Sequence, residues 1–372
     1  MIGSAILCSL VFLIWVYLVI GVAHEGDRFR LPLGAPPTHA KRARPGVSVI
    51  IPARNEAHQI AGCIESLRRQ SFSPEKIIVV DDCSTDGTRA VITGLPEEGV
   101  PVKLVQGREP PEGWLGKSHA IVQGLAEAEG AWFLFTDADT IHAPAALASA
   151  LAWAERNEVA LLSITGDQRA GSPWEKIVQP LVFRLLDALY PLAGANGTDA
   201  ARAAANGIYM LVRRDAYEAI GTHESFRNVV LEDVAMARAF RKAGHRTAFL
   251  RGEDLLQVRM YRSFGEIWEG WTKNFRQLLN ENARHARLVA AAVLCAGLLP
   301  AVMLWYGGVA GWLAAGIAVG GEAWFRSRRN AGTIWALTLP VGAIIVAAMI
   351  GESVRRHAEG EEFTWKGRRY PA

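Results

Sequence analysis

Two short apolar runs end directly in carboxylates. Ile77-Ile78-Val79-Val80 runs into Asp81-Asp82, and Trp132-Phe133-Leu134-Phe135-Thr136 runs into Asp137-Ala138-Asp139. Runs of β-branched and aromatic residues without polar alternation read as strands buried on both faces, and such strands belong to parallel sheets covered by helices. The acids then stand just past the carboxyl ends of strands, the edge at which open α/β sheets bind ligands. A third station, Glu232-Asp233, follows Val229-Val230-Leu231 and opens a helix-like stretch. Three acidic stations predict a site that holds a cation and also needs a base.

The rest of the middle of the chain fits such a sheet. Val47–Pro52 is a β-branched run closed by a breaker, Val102–Val105 is a further strand, and Val159–Thr165 and Gly207–Val212 read as two more. Between them, residues 56–70 carry Ile60, Ile64 and Leu67 at helical spacing, and Ser118–Ala128 reads as a helix. Ser84-Thr85-Asp86-Gly87-Thr88 is a turn into another helix that Ser84, Thr85 or Asp86 could cap. Strands alternating with helices predict an α/β fold, a Rossmann-like and mostly parallel sheet with flanking helices.

Hydrophobic residues make up 50% of the 372 and charged residues 21%. The apolar excess lies at the two ends. Ile2 to Ala23 is uncharged and long enough to span the roughly 30 Å hydrocarbon layer. It has no basic n-region and exceeds the length of a signal-peptide core, so it reads as an uncleaved anchor. Arg28, Arg30, Lys41, Arg42 and Arg44 follow it and place the middle of the chain in the cytosol by the positive-inside rule. Leu288–Tyr306, Val309–Phe325 and Thr333–Ile350 are three further apolar stretches, with basic residues after the second and third. Three full crossings would carry the basic tail outside. A hairpin followed by a re-entrant third stretch, broken at Pro340-Val341-Gly342, keeps both basic loops inside. The expected organisation is an anchor (1–24), a linker (25–46), a catalytic α/β domain (47–262), an amphipathic interfacial helix (263–285), a membrane region (286–351) and a basic cytosolic tail (352–372), all on the cell's inner membrane. The net charge of +3 is too small to argue for nucleic acid as a partner. Four cysteines without paired spacing give neither a disulfide framework nor a zinc set.

Each acidic station also has a plainer reading. A lone D-x-D is often a solvated turn; here the buried strand before it turns both carboxylates toward the ligand edge. Hard oxygen donors with open positions suit Mg2+ or Mn2+ carrying a diphosphate. Asp82 could accept from a base N–H or a ribose hydroxyl, or cap the following helix. Glu232 or Asp233 could cap the helix that they open, or act as a general base. The apolar faces of Pro173–Tyr190 and Ser263–Leu279 either pack on a core or lie in a membrane surface, and the tryptophans Trp268 and Trp271 favour the second reading for the later segment.

These residues stand in five ordered motifs: Val47-Ser48-Val49-Ile50-Ile51-Pro52-Ala53-Arg54-Asn55-Glu56, Val80-Asp81-Asp82-Cys83-Ser84-Thr85-Asp86-Gly87-Thr88, Gly113-Trp114-Leu115-Gly116-Lys117, Phe135-Thr136-Asp137-Ala138-Asp139 and Leu231-Glu232-Asp233. Over roughly residues 46–280 the chain resembles the inverting family 2 glycosyltransferases of GT-A fold. The resemblance implies that Pro52, Glu56 and Asp82 line the nucleoside, Lys117 lies near the phosphates, Asp139 binds the metal with Asp137 beside it, and Asp233 deprotonates the acceptor. It implies a nucleotide-sugar donor, a UDP-sugar by preference. In the related Gln/Arg-x-x-Arg-Trp motif, Arg259-Met260-Tyr261-Arg262-Ser263 keeps both basic positions but has Ser for Trp. That departure argues against a processive polysaccharide synthase and leaves Arg262 as a diphosphate contact or a membrane-edge cation. The closing Phe363-Thr364-Trp365-Lys366-Gly367-Arg368-Arg369-Tyr370 is similar to the tail of membrane glycosyltransferases of the ceramide, carotenoid and hopanoid types, which implies a lipid or lipid-like acceptor.

Overall fold

The computed structural model describes residues 28–33, 45–279, 282–306, 308–361 and 363–370, together with positions 9, 11–13, 15, 16 and 19. Most of the expected N-terminal anchor and residues 34–44 of the linker lie outside the described residues. The strands used below are β1 (Val47–Ala53), β2 (Lys76–Asp81), β3 (Val102–Gln106), β4 (Trp132–Thr136), β5 (Thr140–His142), β6 (Leu161–Thr165), β7 (Tyr209–Arg213), β8 (Thr247–Arg251) and β9 (Leu256–Val258). The helices are α1 (Ile60–Arg68), α2 (Thr88–Thr93), α3 (Gly116–Leu125), α4 (Ala146–Arg156), α5 (Pro173–Leu189), α6 (Glu232–Lys242), α7 (Phe264–Leu278), α8 (Ala283–Tyr306), α9 (Gly308–Ser327) and α10 (Leu339–Glu359). The chain divides into two compact units. One comprises Phe29–Asp167 and Leu192–Val258; the other comprises Met1–Arg28, Gln168–Pro191 and Arg259–Ala372.

In the first unit seven strands form one sheet in the order β3-β2-β1-β4-β7-β6-β8. β1 lies parallel to β2 and β4, β2 to β3, and β6 to β8, while β7 is antiparallel to both of its neighbours. Every strand but β7 therefore points the same way, and their carboxyl ends share one edge. The expected two-sided burial is present: Val49, Ile50 and Ile51 of β1 and Ile77 to Val80 of β2 are wholly buried. Burying one such side chain contributes about 1.5–3 kcal/mol. One face packs Ile50, Ile78, Val80, Phe133 and Phe135 against Ile121 of α3 and Met236 and Phe240 of α6. α3 comes so close that a Cβ at Gly124 would lie 2.9 Å from methyls of Ile50 and Val80.

Two local expectations change. α2 begins at Gly87 without a side-chain cap; Asp86 instead accepts from the backbone of Thr88 and, at 3.2 Å, of Ala57. The strand expected from Gly207 begins at Tyr209, because Asn206 Oδ1 accepts from Ile208 N at 3.1 Å and turns the chain first.

The second unit is helical. α5 opens with a capping box, Ser172 with Glu175, and Pro173 in its first turn. At α7, Ser263 accepts from Glu266 N at 3.2 Å, so the serine that departs from the family's tryptophan caps this helix. The α7 face of Ile267, Trp271 and Phe275 is buried against Val178, Leu181 and Val182 of α5 and Val346, Met349 and Ile350 of α10. Protein, not solvent or lipid, covers that face. Trp271 Nε1 donates to Gln179 Oε1 at 2.9 Å within it. Among the described residues, two segments are long and apolar enough to cross a membrane, Ala283–Tyr306 and Thr333–Glu359. In the first, protein buries 17% of the apolar window, against 44% in the second. The second is not broken at Pro340-Val341-Gly342: a 3-10 turn, Thr333–Thr338, leads into α10, which runs unbroken from Leu339. Pro340 sits in the first turn, where its missing N–H costs no hydrogen bond. α8 and α9 pack closely beside their connection, where a Cβ at Gly311 would lie 2.1 Å from Met303 O. Near that connection Trp305, Tyr306, Val309 and Trp312 are two-thirds or more exposed. Glu322, wholly buried in α9, is paired with Arg326 at 2.7 Å and with Arg184 of α5. The tail forms a hairpin, β10 (Phe363–Trp365) with β11 (Arg368–Tyr370), whose turn residues Lys366 and Gly367 both have positive φ.

Candidate active site

The loops after β1 and β2 are tied together at the carboxyl edge. Asp82 N donates to Ala53 O at 2.7 Å, Thr85 N to Asn55 Oδ1 at 2.8 Å and Glu56 N to Thr88 Oγ1 at 2.7 Å. Arg54 donates to the carbonyls of Asp82 and Cys83 at 2.7 and 3.0 Å. Asn55 and Cys83 take the left-handed conformation, both with φ of 54°. This lacing divides the first acidic pair. Asp81 closes its own turn by accepting from Ser84 N at 3.1 Å. Asp82, buried at 4% exposure, and Glu56, at 8%, stand at the same edge, with half-buried Pro52 in β1 opposite Val80.

The second and third stations meet through a lysine. Lys117, in the first turn of α3, places Nζ 2.9 Å from Asp137 Oδ1 and 3.0 Å from Glu232 Oε1. Backbone bonds set its position: Leu115 N, just ahead of α3, donates to Arg227 O at 2.6 Å. Asp233 follows Glu232 in the first turn of α6 and accepts from Gly207 N at 2.9 Å and from Val234 N at 2.7 Å. Neither acid is the helix cap, a place taken by Leu231 without a side-chain bond. Gly207 was not singled out for the site from the sequence, yet a Cβ there would lie 2.5 Å from Lys117 Nζ. The Asn206-Gly207 turn pair is its only sequence signal.

The electrostatics follow from this crowding. Burial, then the neighbouring Glu232, pushes the Asp233 carboxyl up to about 7, against the pull of Lys117 and two backbone N–H donors. Burial opposes the charge on Lys117, but Asp137, Glu232 and Asp233 outweigh it and raise its pKa well above the usual lysine value. One ammonium thus sits among three carboxylates and leaves the cluster negative. His223 is held neutral by burial and by Lys117, its pKa pushed down to about 3, and its Nδ1 is paired with Tyr217 OH at 2.6 Å. It is not a titrating base near neutrality. Burial raises the Cys63 thiol, and Asp139, Asp137 and Glu56 raise it further, so these carboxylates act on one neighbourhood. Among the described residues no three His, Cys, Asp or Glu side chains form a ready cation cage. Two carboxylates completed by a ligand's phosphates suit Mg2+ or Mn2+. The donor set of Asp137 and Asp139 fits such an ion, and Asp137 already faces one cation, the Lys117 ammonium.

Residues 48–221 match the family described as "Glycosyl transferase family 2". The chain carries a family 2 glycosyltransferase domain. The matched stretch contains Asp82, Lys117, Asp137 and Asp139 and ends before Glu232-Asp233, which the fold brings to Lys117. The 4,4'-diaponeurosporenoate glycosyltransferase of Staphylococcus haemolyticus (strain JCSC1435) is 27% identical over 241 residues, covering 61% of this chain and 60% of the relative. That of Staphylococcus aureus (strain MRSA252) is 28% identical over 253 residues, covering 67% and 65%. The chain thus spans under two thirds of the length of these relatives. Among solved structures, the mannosyltransferase PcManGT from Pyrobaculum calidifontis, in complex with GDP-Man and Mn2+, is similar at a TM-score of 0.55 and 20% identity, covering 92% of this chain and 99% of that one. The likeness gives this chain the GT-A fold.

Arg262 belongs to the helical unit, exposed beside the start of α7, where its backbone N donates to Glu266 Oε2 at 2.8 Å. Its motif partner Arg259 has a structural task. It grips Glu175 with two bonds of 3.0 and 2.9 Å, and this grip, with backbone donors, holds the buried carboxyl down at about 2 against the effect of its burial.

Proposed function

We propose that this chain transfers a sugar from a nucleotide-sugar donor to a lipid-like acceptor at a membrane, in one displacement that inverts the anomeric carbon. The observation that carries the reading is the Lys117 ammonium shared between Asp137 and Glu232, beside an Asp233 carboxyl pushed up to about 7. An attacking alcohol needs a base whose pKa lies near the working pH, and Asp233 meets that requirement. Pro52, Glu56 and Asp82 line the nucleoside pocket at the laced edge of β1 and β2. When the donor diphosphate enters, Lys117 turns part of its charge from Asp137 to the phosphates. Asp139, with Asp137 beside it, would hold a divalent ion, which would supply positive charge toward the leaving diphosphate. Arg262 is the proposed second phosphate contact.

The acceptor assignment is supported by relatives named for 4,4'-diaponeurosporenoate and by the exposed Trp305, Tyr306, Val309 and Trp312. Contiguous apolar surface of this kind meets lipid or another protein. We place the protein on the cell's inner membrane with the family 2 domain in the cytosol. A carotenoid-type acid arrives already ionised, and Asp233 then orients more than it deprotonates. The test is mass spectrometry of membrane lipids from cells with and without this chain, followed by assay of the purified protein with UDP- and GDP-sugars. One hexose added to one lipid class is the expected result. A ladder of polymer, or no sugar-dependent product with any donor, refutes the proposal.

A further inference from the structure

The loop that carries Asp137 and Asp139 runs between β4 and β5, and one side chain ties both of its ends to the fold. His142, the last residue of β5, is 3% exposed. Its backbone is set against Leu256 of β9, while its ring reaches back to β4. There Nε2 lies 3.1 Å from Oγ1 of Thr136, the strand residue that leads into the loop. On the other side Nδ1 lies 3.2 Å from Ser66 Oγ of α1. The span Thr136–His142 is therefore closed by its own end residues and fastened to a helix. Within it, Thr140 N donates to Asp137 O at 3.3 Å, and Cys63 Sγ of α1 donates to the same carbonyl at 3.7 Å.

A buried histidine is usually explained by the polar groups that it satisfies. That explanation fails here. Ser66 Oγ already donates to Cys63 O at 2.7 Å and accepts from His142 N at 3.0 Å. Thr136 Oγ1 already donates to Ile208 O at 2.6 Å. Both hydroxyls would keep a carbonyl partner beside a leucine. Each hydroxyl has one proton. With that of Ser66 spent on Cys63 O, the contact with Nδ1 needs the ring's own proton. Burial pushes the His142 pKa down to about 3, so the ring is neutral and carries one proton only. Nε2 is then an acceptor, and the Thr136 hydroxyl stands between it and Ile208 O. The ring thus has one tautomer and one orientation, through contacts that an apolar side chain of similar size cannot make.

The Thr136 hydroxyl also connects two acidic stations. Ile208 follows Gly207, whose N–H donates to Asp233 Oδ2 at 2.9 Å. Through Thr136, the ring joins the loop of Asp137 and Asp139 to the strand entry that seats Asp233. Tyr209, wholly buried and opposite Thr136 in the sheet, covers the ring with 5.9 Å between centroids.

We infer that His142 is a positioning residue of the transfer site: its imidazole clamps the Asp137–Asp139 loop between β4, β5 and α1 and sets the two carboxylates for a divalent ion. Both ring nitrogens are engaged, so neither is left to bind the ion itself. The inference rests on the reading that Asp139 and Asp137 hold that ion. Groups standing behind a ligand set change metal affinity by about 10- to 100-fold. His142 acts through a hydroxyl and the loop backbone, which puts it at the lower end, roughly tenfold.

The test titrates Mn2+ into the full chain in detergent, with UDP and with GDP in separate series, and reads free Mn2+ from its electron paramagnetic resonance signal. His142→Leu and the near-isosteric Thr136→Val should each weaken Mn2+ binding roughly tenfold. Binding of the nucleotide without metal, which uses the laced edge of β1 and β2, should be unchanged. Leu151→Ala removes a wholly buried side chain of α4, away from the site. It should lower Tm at least as much and leave Mn2+ binding as in the wild type. If His142→Leu does not fold, Thr136→Val carries the test. Wild-type Mn2+ binding in the two clamp variants overturns the inference and leaves the metal reading standing. Equal weakening in Leu151→Ala overturns it as well, since the effect is then one of stability. A wild type that binds no Mn2+ with either nucleotide refutes the metal reading itself and the clamp's task with it.

Discussion

Replacing Lys117 by methionine should move the acidic limb of the pH–rate profile to higher pH. The Cβ position of Gly207 lies 2.5 Å from Lys117 Nζ and 3.7 Å from Asp233 Oδ2, which puts the ammonium within about 6 Å of that carboxylate. At an effective dielectric of about 20, a unit charge at that distance is worth roughly 3 kcal/mol, or about two pK units. Lys117 keeps 34% of its side chain exposed, and solvent screening reduces the effect to roughly one to two units. In the wild type, Asp233 loses its proton near pH 7, so kcat at saturating donor should fall below that pH. In Lys117→Met the same limb should stand about one to two units higher. With an alcohol acceptor, activity at pH 7 should then drop roughly 5- to 50-fold and recover in large part at alkaline pH. Lys117→Arg, which keeps the charge, should leave the limb near its original place. The assay is a pH series of single turnovers at saturating donor, which separates this effect from weaker donor binding. An acidic limb that stays in place in the methionine variant refutes the coupling of Lys117 to Asp233.

Gly207→Ala should act in the same direction, since its methyl would displace the Lys117 ammonium; a parallel pH series checks this. Asp233→Asn should cost several orders of magnitude in kcat if the acceptor is an alcohol and only a few fold if it is a carboxylic acid, read with both acceptor types. Chelation by EDTA should abolish transfer, and Mn2+ or Mg2+ should restore it, measured as nucleoside diphosphate released. Arg259→Ala strands a buried Glu175 and should destabilise the helical unit by about 2–4 kcal/mol, seen as a lower Tm. The stabilisation that Glu175 gains from its low pKa is fully present above its unfolded value near 4.5 and is lost as pH falls through about 2. The Cys63 thiol, buried and raised first by that burial and then by three carboxylates, should resist alkylation in the native protein and react once the protein is unfolded, a contrast that peptide mapping would show.

The fold of the first unit could be read from the sequence because its strands are apolar on both faces. Ile77 to Val80 and Trp132 to Phe135 have no polar side to offer water, so they had to lie inside a helix-covered sheet, with their terminal acids at its edge. The helical boundaries were less legible. Pro340 looked like a break and is a helix start, because only the chain on either side decides whether the missing N–H matters. The face of α7 looked fit for lipid and is covered by α5 and α10, a packing that amphipathic spacing cannot specify.

By itself, the sequence determined which residues are chemically able to act: hard carboxylates after strands β2 and β4, and a third pair opening a helix. It could not divide the labour within each pair. Tertiary structure gave Asp81 to a turn and left Asp82 at the edge. It joined Glu232 to Asp137 through a lysine 20 residues before the strand-end acid, and it set Asp233 against a glycine amide. The physical reason is range. Strand and helix patterns are written within a few neighbouring residues, whereas the protonation of Asp233 depends on burial and on charges that only the folded chain brings within a few ångströms.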